Sequence, residues 1–294
     1  MNPAKGLFAA LVTPYTPDGD VDYPMIGKIC RHLLKNGISG FYVCGSTGEA
    51  FLLSCEERKR ILETVIEACG DEAKIIAHIG SIGTKLSLEL AEHANKKGVA
   101  AISSVPPIYY KFSFNEIKEY YTALASGSDA PLLVYNIPDL SGVHFTLEQY
   151  IELTGIRNVF GIKFTSFNLY QLERIKSGNK DLSIFNGYDE VLLYGLMAGA
   201  DGGIGSTYNA IPRMYVRLWE NFLKNDFAAA KSIQSSINEI ITVMCKVGVN
   251  QAVKEMLKFQ GFDCNGCRSP FRPVLTEESE MLGKIVNSYN NDGL

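Results

Sequence analysis

Eight short β-branched or apolar runs, each followed by a longer stretch of mixed polarity, constrain the possible folds of this chain more than any other feature. The strand candidates are Leu7–Val12, Gly40–Cys44, Lys74–Ile79, Ala100–Val105, Leu132–Asn136, Phe160–Phe164, Ser183–Asn186 and Gly199–Ile204. Between them lie helix patterns with readable ends. In Met25–Asn36, Ile26, Ile29, Cys30, Leu33 and Leu34 recur at helical spacing and Gly37 supplies the stop. Ser54 with Glu57 is a capping box for a helix whose apolar face is Ile61, Leu62, Val65, Ile66 and Cys69. Ser113 with Glu116 and Thr146 with Gln149 repeat that start signal, and Thr84–Lys97 stops at Gly98. Such alternation implies parallel strands joined by right-handed helical crossovers. Eight units over about 210 residues fit a closed (β/α)8 TIM barrel, with an open doubly wound sheet as the alternative. The first strand runs into TPYTPDG and not into a dinucleotide fingerprint, which disfavours the open sheet. Tyr215–Phe222, Ala228–Val247 and Gln251–Phe259 also read as helices, more than the last barrel unit needs. The expectation is a single domain over residues 1–294, with the barrel in 1–225 and a C-terminal helical extension in 226–294.

With 294 residues, 46% hydrophobic and 20% charged, the chain has the composition of a soluble globular protein. A net charge of −4 without a basic run gives no electrostatic footprint for nucleic acid or an anionic membrane. The apolar stretch Leu7–Val12 before Pro14 is too short for a signal peptide or a membrane span, so a cytoplasmic location is expected. Seven cysteines, an odd number without a repeat, read as reduced thiols. Cys264 and Cys267 have C-x-x-C spacing, yet no second pair or histidine cluster stands near them to complete a metal site.

In such barrels the active site sits at the C-terminal ends of the strands, and the unusual polar residues of this sequence fall there. Lys163 stands among Phe160, Ile162 and Phe164 in FGIKFT. Burying an ammonium without a partner costs several kcal/mol, and a neutral lysine amine is what Schiff-base chemistry uses. The alternative is a strand-end lysine that reaches solvent. The second strand ends in GSTGE, where Ser46 and Thr47 either cap a turn or, with exposed N–H groups, hold a small carboxylate. Tyr135 in YNIP is a core ring with its hydroxyl at the rim, or a proton donor and acceptor if it faces Lys163. Asp189 and Glu190 in NGYDE either favour a helix N-terminus or bind polyol hydroxyls. His78 reads as a satisfied core histidine, Glu49 as a structural group bonded to backbone in its turn, and Cys44 as a packed thiol.

Taken together, GSTGEAF, PPIYYKFSF, YNIPDLSGV, GIKFT, FNGYDE and GADGGIGSTYN resemble, in order and over essentially the whole length, the pyruvate-dependent class I aldolases. That family includes N-acetylneuraminate lyase and dihydrodipicolinate synthase. The resemblance implies a Schiff-base lysine at Lys163 and a proton-transfer tyrosine at Tyr135, with Ser46 and Thr47 holding the pyruvyl carboxylate. It puts Thr165, Gly187, Asp189, Glu190 and Ser206 at the glycerol-like tail of a sugar substrate, and lends Tyr109 to an adjacent subunit's site in a homotetramer. It implies no metal or organic cofactor. GSTGE, GYDE and GIGSTYN are similar to the sialic acid lyase branch, and Leu140 stands where synthases usually carry a carboxylate-binding arginine. The expected activity is reversible cleavage of N-acetylneuraminate to N-acetylmannosamine and pyruvate. Another pyruvate aldolase (a dihydrodipicolinate synthase or a keto-deoxy-sugar acid aldolase) and a non-catalytic keto-acid or sialic acid sensor are the alternatives. Two departures stand out: Cys44, where lyase relatives often have glycine, and Asp139, which lies on variable ground.

Overall fold

A computed structural model describes residues 5–291 of the chain. Its strands are β1 Gly6–Ala10, β2 Gly40–Val43, β3 Lys74–His78, β4 Ala101–Ser104, β5 Leu132–Asn136, β6 Val159–Phe164, β7 Ser183–Asn186 and β8 Gly202–Gly205. They close in chain order into one barrel, as the alternation predicts. The helices are α1 Tyr23–Lys35, α2 Cys55–Cys69, α3 Thr84–Lys96, α4 Phe114–Ser126, α5 Pro138–Ser141, α6 Leu147–Thr154, α7 Leu169–Gly178 and α8 Leu192–Met197. Beyond the barrel strands come α9 Pro212–Leu223, α10 Phe227–Val247, α11 Val249–Phe259 and α12 Thr276–Asn291. No helix among the described residues is long and apolar enough to cross a membrane.

The helix starts follow from local hydrogen bonding. All three capping boxes form, each satisfying two otherwise orphaned N–H groups; such a cap contributes about 1 kcal/mol. Helix α1 begins two residues before the expected Met25, because the Asp22 carboxylate accepts the Met25 N–H at 2.9 Å and Pro24 tolerates the first turn. Helix α9 likewise begins early, on Pro212. Strand β8 starts three residues later than expected, since Gly199 at φ +105 still belongs to the turn that ends α8. Helices α5, α7, α8 and α12 are not among the helices expected above; Asn168 caps α7 by accepting from the Gln171 N–H at 3.1 Å.

The chain forms two compact units by internal contact, one of Lys74–Ile204 with residues 5–6 and the other of Leu7–Ala73 with residues 205–291. In the first, parallel pairing sets Tyr135 of β5 beside Lys163 of β6, and Lys163 beside Phe185 of β7. Ile102, Leu133, Ile162, Phe164, Ile184 and Phe185 are all fully buried there. In the second, Phe8, Phe41 and Tyr42 are buried on β1 and β2, and Ile29, Leu33, Val65, Tyr215, Met244 and Leu257 fill the spaces among the helices.

Candidate active site

Lys163 is the penultimate residue of β6 and only 3% exposed, although the barrel strand ends immediately after it. Its Nζ stands 4.0 Å from the centroid of the Tyr135 ring, which the β5–β6 register brings alongside. His78, on β3, meets Tyr135 edge-on at 6.2 Å. Its Nε2 accepts the Val105 backbone N–H at 3.4 Å, so the expectation of a satisfied core histidine holds.

One residue past β6, Thr165 donates its N–H to the Asn136 carbonyl at 2.9 Å, and the residue is buried. No hydrogen-bond partner meets Thr165 Oγ1 among the described residues, and an orphaned buried hydroxyl marks a place where a ligand can supply the missing bond. Gly187 follows β7 and is held by its N–H to the Phe164 carbonyl at 2.9 Å. A Cβ there would lie 1.9 Å from Thr165 Oγ1, so only glycine leaves the hydroxyl room. Asp189, 6% exposed, and half-buried Glu190 open the short helical turn that follows.

Tyr188, between these groups, was missed by the sequence reading. Its ring stacks on Phe167 at 4.4 Å with planes 13° apart, and its hydroxyl donates to the Asp139 carboxylate. Burial first, then the bond to Asp139 and its charge, push the Tyr188 phenol well above its ordinary value, so it stays a donor. The clasp joins side chains that follow β5, β6 and β7. Asp139, treated above as variable ground, therefore has a definite partner. Leu140, on α5, is 71% exposed. Tyr109 is 88% exposed at φ +80, with Tyr110 edge-on at 5.0 Å.

The second unit holds the GSTGE turn. Thr47 Oγ1 and Ser206 Oγ lie 2.6 Å apart, which joins two residues that the resemblance had given to opposite ends of a substrate. Ser46 is half-buried beside them. Asn209, unremarked in the sequence, fixes this arrangement by donating to the Ala10 and Ser206 carbonyls at 2.8 and 2.7 Å. The turn is bracketed by two non-glycine residues in the left-handed region, Cys44 at φ +57 and Glu49 at φ +59. Glycine adopts that conformation without strain, so the fold would accept it at the position of Cys44. Burial pushes the Cys44 thiol up to about 11, in keeping with a packed thiol and not a nucleophile.

Glu49 is structural, as expected, but its carboxylate is not bonded to its own turn. It meets Lys254 Nζ at 2.5 Å and accepts the Arg268 N–H at 2.8 Å and the Tyr15 hydroxyl at 3.3 Å. Lys254 and Arg268 were invisible to the sequence reading because they lie 205 and 219 residues from Glu49. Cys264 and Cys267 are both free thiols, each pushed up to about 12, by burial above all. Among the described residues no cluster of histidine, cysteine or acidic side chains is arranged to hold a metal ion.

Comparison with known proteins agrees with this geometry. The sequence pattern of the Dihydrodipicolinate synthetase family matches residues 3–289. The chain is 43% identical to N-acetylneuraminate lyase 2 of Escherichia coli O6:H1 over 284 residues, covering 96% of this chain and 93% of that protein. Its fold superposes on the structure of CdNal from Clostridium difficile in complex with mannosamine with a TM-score of 0.94, at 36% identity and covering 97% and 99% of the two chains. A catalytic lysine mutant of the Ruminococcus gnavus sialic acid aldolase gives a TM-score of 0.94 at 31% identity, covering 99% and 98%. With its pattern matched from end to end and its barrel shared with these relatives, the chain belongs to the dihydrodipicolinate synthetase family.

Proposed function

We propose that the chain is a Schiff-base lyase that reversibly cleaves N-acetylneuraminate to N-acetylmannosamine and pyruvate. The observation that carries this reading is a buried lysine amine against the face of a tyrosine at paired positions of adjacent strands, in a chain 43% identical to a lyase of that name. In the open-chain substrate, Ser46 and Thr47 receive the 2-keto acid carboxylate. Lys163 attacks the C2 ketone and water leaves, giving a protonated imine that withdraws electrons. Tyr135 takes the C4 hydroxyl proton and passes its own to the substrate carboxylate. The C3–C4 bond then breaks, its electron pair moving toward the imine, and N-acetylmannosamine departs as the aldehyde. Protonation of the enamine at C3 and hydrolysis release pyruvate and restore Lys163. The imine is itself the electron sink, so the chemistry calls on no metal or organic cofactor. Thr165, Gly187, Asp189, Glu190 and Ser206 contact the sugar tail; the orphaned Thr165 hydroxyl and the buried Asp189 support that assignment. Uncharged Leu140 offers nothing to a second substrate carboxylate, which favours the lyase over a dihydrodipicolinate synthase.

Borohydride added in the presence of pyruvate is expected to attach a reduced pyruvyl group to Lys163, read by peptide mass. In parallel, the protein should release pyruvate from N-acetylneuraminate and fail to condense pyruvate with aspartate semialdehyde. An unmodified Lys163, or the reverse substrate preference, would defeat the reading. We further propose a cytoplasmic location and a homotetramer; the 88% exposure of Tyr109 supports only that this ring is available to a neighbouring subunit's site. Light scattering should then give a tetramer mass; a monomer at assay concentration would remove Tyr109 from the site.

A further inference from the structure

Helix α11 meets the Cys44–Glu49 turn with two side chains one helical turn apart. Asn250 Nδ2 donates to the Ser46 carbonyl at 3.4 Å, and Lys254 Nζ donates to Glu49 Oε1 at 2.5 Å. Residues four apart share one helix face, so a single face of α11 grips the segment that carries Ser46 and Thr47 at two points.

The grip at Glu49 is closed on every side. Its other oxygen accepts the Arg268 N–H at 2.8 Å and the Tyr15 hydroxyl at 3.3 Å. Lys254 also donates to the Gly266 carbonyl at 2.8 Å and packs 4.3 Å from the Tyr15 ring centroid. Arg268 is anchored in turn by Glu57 at 2.7 and 3.1 Å and by the Leu52 and Gly19 carbonyls, both at 2.9 Å. The side chains of Lys254 and Glu49 are 1% and 0% exposed. An ion pair this deeply buried is a poor device for stability alone, because a well-packed apolar pair often serves as well. What it does supply here is a fixed position for Glu49. That residue holds φ +59 and Cys44 holds φ +57, and strained backbone of this kind persists only where its surroundings over-determine it.

We propose that Lys254 is a positioning residue for the keto-acid pocket: acting through Glu49, it holds Ser46 and Thr47 in the conformation that receives the carboxylate. The inference rests on the reading of Ser46 and Thr47 under Proposed function. It gives the helices beyond the barrel strands a share in substrate binding although Lys254 touches no substrate.

Titrating pyruvate in the borohydride reaction tests the inference separately from the reading beneath it. Wild-type trapping that saturates with pyruvate upholds the keto-acid pocket, and no trapping in the wild type would sink that reading first. In Lys254→Met the half-saturating pyruvate concentration should rise about tenfold or more, the scale seen when a group that orients a binding residue is removed. Trapping at saturating pyruvate should stay within about twofold. Lys254→Arg should restore part of the affinity. Tyr15→Phe, which keeps the ring and removes one donor to Glu49, should shift half-saturation in the same direction and decides the matter if Lys254→Met does not fold. A lowered Tm with unchanged half-saturation in folded Lys254→Met, or unchanged half-saturation in Tyr15→Phe when Lys254→Met is unfolded, would overturn the proposal.

Discussion

Lys163→Ala is expected to lower pyruvate release from N-acetylneuraminate by on the order of 10⁴-fold or more while leaving the fold intact. Without the amine no imine forms, and the electrons of the C3–C4 bond have no sink to enter. The rest of the pocket still binds substrate, so the loss should fall on kcat far more than on KM. The fold survives because two effects on stability oppose each other. Lys163 is 3% exposed between fully buried Ile162 and Phe164, so removing its amine relieves a desolvation cost. Truncation to alanine also leaves a cavity where the stem packed. Lys163→Met, which keeps most of the stem, should melt at or above the wild-type temperature and be equally inactive. Thermal melts of both variants beside a pyruvate-release assay check this. A rate within about tenfold of wild type in either would move the chemistry to another residue.

The molecule has a second buried lysine, and the contrast shows what the sequence reveals and what it hides. Lys163 interrupts an apolar strand run, so its oddity is visible from its immediate neighbours. Lys254 lies in the amphipathic stretch Gln251–Phe259, where a lysine reads as a solvated side chain; only the fold brings Glu49 to within 2.5 Å of it. The same division holds throughout the site. Thr165 and the GSTGE turn draw attention in the sequence because they sit in short segments at strand ends, and strand order follows from alternation together with the missing dinucleotide fingerprint. The Tyr188–Asp139–Phe167 clasp was not, since it joins side chains from three separate segments, after β5, β6 and β7, and none of the three has a local signal. Helix α12 is a different sort of omission. Met281, Leu282, Ile285, Val286 and Tyr289 recur at helical spacing after Glu277 and Glu278, so the pattern was there to be read. Element ends moved where a cap or a proline decided them, as at Asp22 and Pro212.

Tyr135→Phe is expected to slow cleavage by about 10²–10⁴-fold, the range for loss of a general acid–base group. The substitution keeps the ring against which Lys163 packs at 4.0 Å and the edge contact with His78 at 6.2 Å, so neither barrel nor amine should shift. What disappears is the hydroxyl that takes the C4 proton as the bond breaks. Imine formation with pyruvate involves no C4 hydroxyl, so borohydride should still label Lys163 in the variant at nearly the wild-type extent. Cleavage of N-acetylneuraminate, which does involve it, should carry the whole loss. Measuring the two on one preparation separates the steps. If labelling and cleavage fell together, Tyr135 would be acting at imine formation; a near-normal cleavage rate would take it out of proton transfer altogether.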